Sequence, residues 1–458
     1  MHKQNIKLVQ LTIYSCILLL LASCGKQQTL RRVFKKETPY QQYLSSLKSA
    51  KLDHTELGRS WIEAGQDALQ DSLTVTLPFK ETGYIAAEEP KAASYRFKAE
   101  RGQKVVVNLE TRSRNEGKVF MDMFEVLATQ GKEPKLVAYT DTASNTIEYE
   151  IDDELMHLLR IQPELLQSVQ YTITIKSQPV LAFPVLGKSS RNIASIWGDP
   201  RDAGARRHEG IDIFATRGTP AIASVAGYVS RVQETPRGGK VVWLSDTKHH
   251  QSLYYAHLDK QLVQAGQHVN IGDTLGLIGN TGNAITTNPH LHFGIYRYGQ
   301  GATNPYPYVH EPSQTPSTIK SDLSTLGGWV RISPKLANVR LMPTTKSNVY
   351  MSLPQHTPLQ VLGGTSNWYR VQLPNKVEAY VSASVVENIS QPVRYESLAK
   401  QTDLLDEAHP LAAAKDSLSA GTSVAVLASF NDYRLVRNND GETGWIYTGQ
   451  QASLSAGR

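Results

Sequence analysis

Three short strings hold the residue types that metal-assisted hydrolysis needs. The first is His208-Glu209-Gly210-Ile211-Asp212. Gly210 disfavours a helix, and Ile211-Asp212-Ile213 alternates as a strand does. An imidazole from a loop can therefore lie beside a carboxylate from a strand. The string is not the H-E-x-x-H of a helix-borne site, so Glu209 is not that motif's general base. The second string is His290-Leu291-His292-Phe293. On a strand, period two puts both imidazoles on one face and Leu291 and Phe293 on the other. One imidazole can then bind metal while the other faces the reacting group. Asn288-Pro289 sets the direction of the chain into that strand. The third string is Tyr255-Ala256-His257-Leu258-Asp259, whose alternation puts His257 on one face at a strand end.

Any one of the 13 histidines, taken alone, is better explained by packing. Together the strings supply two His and one Asp for a catalytic Zn2+, which takes about three protein ligands and keeps a fourth position for water. Two further His remain for proton transfer. His249 and His250, in a polar turn after Asp246, read as solvated. Asp259 reads as a turn or supporting residue. Gly218, Gly227, Gly276, Gly279 and Gly282 fall at strand ends and turns, which suits an open groove for an extended peptide.

In this order and spacing, the strings resemble the lysostaphin-type family of peptidoglycan zinc metallopeptidases. The surroundings agree: Trp197-Gly198-Asp199-Pro200-Arg201 before the first string, Ile213-Phe214-Ala215-Thr216-Arg217-Gly218-Thr219-Pro220 after it, Gly279-Asn280-Thr281-Gly282 further on, and Asn304-Pro305 at the close. The residues between Arg201 and His208 cannot be matched one by one. The resemblance implies an antiparallel sheet with the metal on its open face. It implies His208, Asp212 and His292 as metal ligands, and His257 and His290 as the catalytic pair. It leaves open which of that pair is the base. The implied reaction is hydrolysis of peptide cross-links in peptidoglycan. Two rivals stand beside it: a catalytically silent adaptor of the same fold that activates another hydrolase, and a wall anchor in which the peptidase unit is incidental.

The elements around this unit are mainly β. Residues 38–71 are rich in Leu, Ala, Lys and Gln and read as helical. Residues 72–179 alternate in short runs, Leu73–Leu77, Tyr95–Lys98, Val105–Leu109 and Tyr171–Ile175, with a tight turn at Ala99–Gln103. Such runs predict an N-terminal β-sandwich. The peptidase unit is expected over residues 180–309, and a Pro/Ser/Thr-rich linker over 310–326. Beyond it lies a faint repeat, Leu359–Leu362, Asn367–Val371 and Ala379–Val381 against Val424–Leu427, Asp432–Val436 and Thr443–Ile446. It resembles the bacterial SH3-type domain, once over residues 327–389 and again, in divergent form, over 390–458.

The N-terminus reads as a targeting segment. Lys3 and Lys7 precede the apolar stretch Leu8–Ala22, which is short of the roughly 20 residues a membrane span needs. It ends in Leu21-Ala22-Ser23-Cys24-Gly25, which resembles a bacterial lipobox. Residues 1–23 are then a lipoprotein signal, Cys24 carries lipid, and residues 24–71 begin with a tether. The chain's 2 cysteines are Cys16 and Cys24, so the mature chain has no thiol left for metal or disulfide. The expected location is the cell envelope, anchored to a membrane and facing the periplasm. The 458 residues suggest roughly three domains. With 40% hydrophobic and 20% charged residues, disorder is excluded. A net charge of +6 suits an anionic polymer or membrane surface, and no nucleic-acid motif is present.

Overall fold

The computed structural model describes residues 37–449 apart from 115, 128–131, 142–143 and 313–314. The proposed signal, Cys24 and the start of the tether lie outside the described residues. Among the described residues, no helix is long and apolar enough to cross a membrane. The chain is mainly β, and its sheets are antiparallel.

Two helices open the structure, Pro39–Ser49 and Glu56–Asp67. Thr38 starts the first with a capping box to Gln41, and Pro39 occupies a first-turn position where its missing N–H costs nothing. Trp61 of the second helix is 1% exposed. It packs with Tyr40 and Phe120 and donates its Nε1 hydrogen to the Pro163 carbonyl at 2.8 Å. This ties the helices to a sandwich of two four-stranded sheets. One sheet orders Phe79–Ile85, Val169–Pro179, Gln103–Ser113 and Thr146–Glu150; the other orders Ala93–Lys98, Met156–Pro163, Val119–Val126 and Lys135–Tyr139. The alternating inward residues, among them Val105, Val107, Ile173 and Ile175, form one core with Phe97, Met123 and Leu159.

One expected strand is absent. Leu73–Leu77 forms a single bridge, Thr74 to Arg96, instead of a strand. Leu73 and Val75 still point into the core, but the Thr74 amide donates to the Leu341 carbonyl, far along the chain. That long-range bond takes the place of a local ladder.

Residues 180–309 contain a separate β unit with its own core. Its central strands are Gly239–Asp246, Gln251–Gln261, His290–Arg297 and Ile211–Phe214, in that spatial order. Among the described residues, a seven-strand group and then a six-strand group follow residue 326. In the first, Pro358–Thr365, Trp368–Gln372 and Glu378–Ser382 form a meander; in the second, Ser423–Phe430, Tyr433–Arg437 and Thr443–Tyr447 repeat it.

The first of these small barrels is fused to the sandwich. Thr82 pairs with Gly364 and Gly83 with Gly363, so one sheet runs through both units. Tyr380 of the barrel lies in the sandwich core. Its hydroxyl donates to Glu81 at 3.2 Å, and that of Tyr95 does so at 2.7 Å. Burial pushes the Glu81 carboxyl upward in pKa, with Arg370 opposing. Arg370 is itself buried and holds Glu378 at 2.7 Å, Asp71 at 3.4 Å and the Ser94 carbonyl at 3.1 Å.

The sandwich also meets the peptidase unit. His249 is not the solvated residue expected: it is largely covered and lies between Asp246 at 2.6 Å and Glu150 of the sandwich at 3.2 Å. Lys248 pairs with Glu150 at 2.6 Å. A carboxylate from another domain, invisible to local reading, recruits the imidazole. His250 is exposed, as expected. The hydrogen bond to Asp246 raises the His249 pKa; the Asp246 and Glu150 values are lowered, because hydrogen bonds from His249 and Lys248 outweigh their desolvation. The signs give a window. The histidine's contribution is complete below about pH 6.5 and is lost as pH rises through its raised value; the carboxylates' contributions are lost as pH falls below about 4. Chemical unfolding followed from pH 6 to pH 9 should therefore show the wild type losing stability, and His249→Ala losing less over the same range. Equal slopes in the two proteins would rule out the clamp.

Candidate metal centre

Strand register builds the site. Asp212 sits directly opposite His292, and Ala256 flanks His292 on its other side. Phe214 is opposite His290 and stacks on its ring at 5.0 Å. Leu291 and Phe293 point into the core, so His290 and His292 share the other face, as period two requires. His208 arrives from the loop before Ile211–Phe214. Its amide donates to the Asp199 carbonyl at 2.8 Å.

The result is a tight convergence. His208 Nε2 lies 2.9 Å from His292 Nδ1, and both face Asp212 Oδ1, at 3.1 and 3.0 Å. The three residues form a group able to hold a metal ion. The His208 Nδ1–H donates to the Ile196 carbonyl at 2.9 Å, which fixes the tautomer and leaves Nε2 with its lone pair toward the group. Burial opposes ionisation of Asp212, but its close contacts with the two imidazoles hold its pKa well below the usual carboxylate range. Burial lowers the pKa of His292. An anionic oxygen and imidazole lone pairs within about 3 Å fit a borderline cation such as Zn2+, which binds His nitrogen and Asp oxygen.

His257 and His290 stand beside this group, with ring centres 5.0 Å apart; His257 is 5.9 Å from His292. Each Nδ1–H donates to a carbonyl, Thr281 at 2.9 Å for His257 and Asn288 at 2.8 Å for His290. Each Nε2 is thereby left for proton transfer. Desolvation, reinforced by His290 and His292, pushes the His257 pKa down to about 4, so this imidazole is neutral at physiological pH.

His257 does not reach the site by simple alternation. Tyr255, two residues earlier, packs in the core against Phe293, and regular pleating would send His257 the same way. Instead the ladder with Gly239–Asp246 shifts register between Tyr255 and Leu258, and His257 takes a left-handed φ of 60°. Its amide bonds to the Gly238 carbonyl at 2.8 Å. A bulge that re-aims one side chain beside a reactive centre is a known use of such irregularities.

Arg201 is a residue whose position the sequence did not reveal. It donates to Asp212 Oδ2 at 2.6 Å and to Ser195 Oγ at 2.7 Å, so one carboxylate oxygen is held by Arg201 and the other is left for the metal group. Its short hairpin, Pro200–Arg201 with Arg206–Arg207, explains why this stretch resisted matching. Glu209 is exposed, and Asp259 pairs with Arg217 at 2.7 Å, away from the metal group.

Residues 206–305 match the family model described as Peptidase family M23, and residues 335–387 match that of the bacterial SH3 domain. The chain carries an M23 peptidase domain of the lysostaphin type. All five histidine and aspartate positions discussed above lie inside that M23 match. An uncharacterized metalloprotease of Haemophilus influenzae is 43% identical over 101 residues, covering 22% of this chain and 20% of that protein. The L-Ala–D-Glu endopeptidase of Bacillus subtilis is 34% identical over 140 residues, 28% of this chain and 42% of that protein. The peptidoglycan DD-endopeptidase ShyA of Vibrio cholerae is 38% identical over 96 residues, 20% of this chain and 21% of that protein. The chain thus spans less than half the length of each of these relatives.

One backbone position of the M23 domain has no room for a side chain. A Cβ on Gly210 would lie 2.6 Å from His292 Cε1 and 2.7 Å from the Phe293 carbonyl oxygen. Relief of such overpacking costs about 1–3 kcal/mol and here must displace the His292 ring. Gly210→Ala should therefore stay folded by circular dichroism but bind far less metal ion per chain by elemental analysis. Normal metal content in this variant would show that the ring has slack the geometry denies.

Proposed function

We propose that this chain is a zinc metalloendopeptidase that hydrolyses the peptide cross-links of bacterial peptidoglycan. The observation that carries the reading is the convergence of His208, His292 and Asp212 on one point, with two tautomer-fixed imidazoles beside it. The activities of the Bacillus and Vibrio relatives supply the substrate class. The complete donor set favours an enzyme over a silent adaptor.

His208, Asp212 and His292 would hold the ion, which would lower the pKa of a water to about 7 and polarise the scissile carbonyl. The chain's own part is proton management and positioning. His257 or His290 accepts a proton through Nε2, and the pair returns one to the leaving amine. The carbonyls of Thr281 and Asn288 keep both rings oriented through the cycle. Arg201 restrains Asp212 so that one oxygen remains directed at the metal position.

Three substitutions separate binding from chemistry. His292→Ala should lose zinc and activity together. His290→Ala and His257→Ala should keep zinc but lose turnover by about 10²- to 10⁴-fold, the usual contribution of a positioned acid or base. The measurement pairs zinc content with muropeptide release from purified sacculi. New amino termini with intact glycan mark an endopeptidase. Near-normal turnover in zinc-loaded His290→Ala would overturn the assignment of roles.

We also propose that Cys24 is lipidated and holds the protein in the cell envelope on the periplasmic side, a reading supported by the Leu21–Gly25 string. Cys24→Ser should move the protein from the membrane to the soluble fraction, and mass spectrometry of the mature wild type should find an acylated Cys24 at its start. An unmodified start elsewhere would defeat this.

A further inference from the structure

The fused sandwich and first barrel enclose a cleft of about 500 Å3, lying outside the metal centre. We infer that this cleft is a binding site for a short anionic peptide. Three segments distant in the chain form it: the approach to the first sandwich strand, the linker, and the turns of the barrel around residues 342–347 and 365–366. Its volume falls in the usual range for ligand sites, about 300–1,000 Å3.

Charge identifies the ligand. Lys80 from the sandwich and Lys346 from the barrel line the cleft, with the hydroxyl-bearing Ser317, Thr344 and Ser366, over Phe79. Among the described residues, no acidic side chain lines it. Neither lysine has an ion-pair partner among the described residues, whereas Lys91, Lys104, Lys248 and Lys376 are each paired with a glutamate. Two free ammonium groups and several hydroxyls, over one apolar floor, suit a peptide with carboxylates and a small apolar side chain.

The walls are fixed before any ligand arrives. Thr365 Oγ1 donates to the Lys80 carbonyl at 2.7 Å, and the amides of Lys320 and Ser321 donate to the Ser366 carbonyl at 2.7 and 2.9 Å. The strand pairing at Thr82 and Gly364 holds the two domains in register. Preorganised walls reduce the ordering cost of binding. The aromatic Tyr380 of the barrel is committed to the sandwich core, so it is not offered to a ligand. Identifying the peptide as a wall stem peptide rests on the proposed function; the cleft's preference for an anionic peptide does not.

The test is isothermal titration of the zinc-loaded full chain carrying His290→Ala with the tetrapeptide L-Ala-γ-D-Glu-L-Lys-D-Ala and with its carboxyl-amidated form. The acidic peptide should bind and the amidated one should bind at least tenfold more weakly. Lys80→Ala or Lys346→Ala should each weaken binding about threefold, and the double variant about tenfold. Thermal unfolding should be unchanged, since neither lysine is paired. With His290 restored, the double variant should digest sacculi more slowly yet cleave a small soluble substrate at the normal rate. Equal affinity for both peptides, or unchanged affinity in the double variant, would overturn the site. If the acidic peptide binds through the lysines but the wild type digests no sacculi, the peptidase reading fails and the cleft stands. If sacculi are digested and the peptide ignores the lysines, the cleft fails and the peptidase reading stands.

Discussion

A convergence of potential metal-binding atoms governs the centre of this molecule. His208 Nε2, His292 Nδ1 and Asp212 Oδ1 all lie within 3.1 Å of one another in a region with little water. Such an arrangement is repulsive unless a proton or a cation is shared among the three atoms. Its persistence depends on restraint from behind each group. Ile196 holds His208, Arg201 holds Asp212, and Gly210 gives the His292 ring its space. The sheet supplies the rest, because the register that places Asp212 opposite His292 also buries Leu291 and Phe293. A slip of one residue would expose that core, so the core's hydrophobic stabilisation enforces the geometry of the site.

The same register sets His290 and His257 beside this group. His290 lies two residues before His292 and needs only the pleat. His257 needs a departure from the pleat, because regular alternation would bury it beside Tyr255. The left-handed backbone at His257 is sustained by bonds from its amide to Gly238 and from the Gly279 amide to its carbonyl. Strain of this kind persists only where surrounding structure over-determines it.

These contrasts explain what could be read from the chain alone. The three histidine strings were legible because their chemistry is local: loop, strand, and period two. The sandwich and barrel strands were legible for the same reason, through alternation in runs such as Val105–Leu109 and Tyr171–Ile175. What escaped was long-range. Leu73–Leu77 has a strand's pattern but spends its hydrogen bonds on Arg96 and Leu341. His249 sits in a polar turn by sequence, yet a glutamate about a hundred residues earlier covers it. Arg201 lies in a stretch without periodicity, and only the folded hairpin brings it to Asp212. No window of neighbouring residues contains these partners.

The fused sheet alters what the C-terminal barrel can do. A barrel on a flexible tether would explore a large volume around the catalytic unit. Here Tyr380 and Arg370 lock it into the sandwich, burying a carboxylate that would be costly if left alone: Glu81 is satisfied only because Tyr95 and Tyr380 donate to it from two domains. Separation would leave that carboxylate without one of its donors and open the core around Phe79. The sandwich in turn meets the M23 domain through Glu150 and through Tyr308, which packs over Gly102. On the proposed reading, a polymer strand held by the barrel is therefore presented to the metal centre from a fixed direction. Fixed presentation raises the effective concentration of only those cross-links whose spacing from the bound peptide matches the distance between cleft and metal. Selection among cross-links would then arise from domain packing, and not from the narrow set of residues around the metal position.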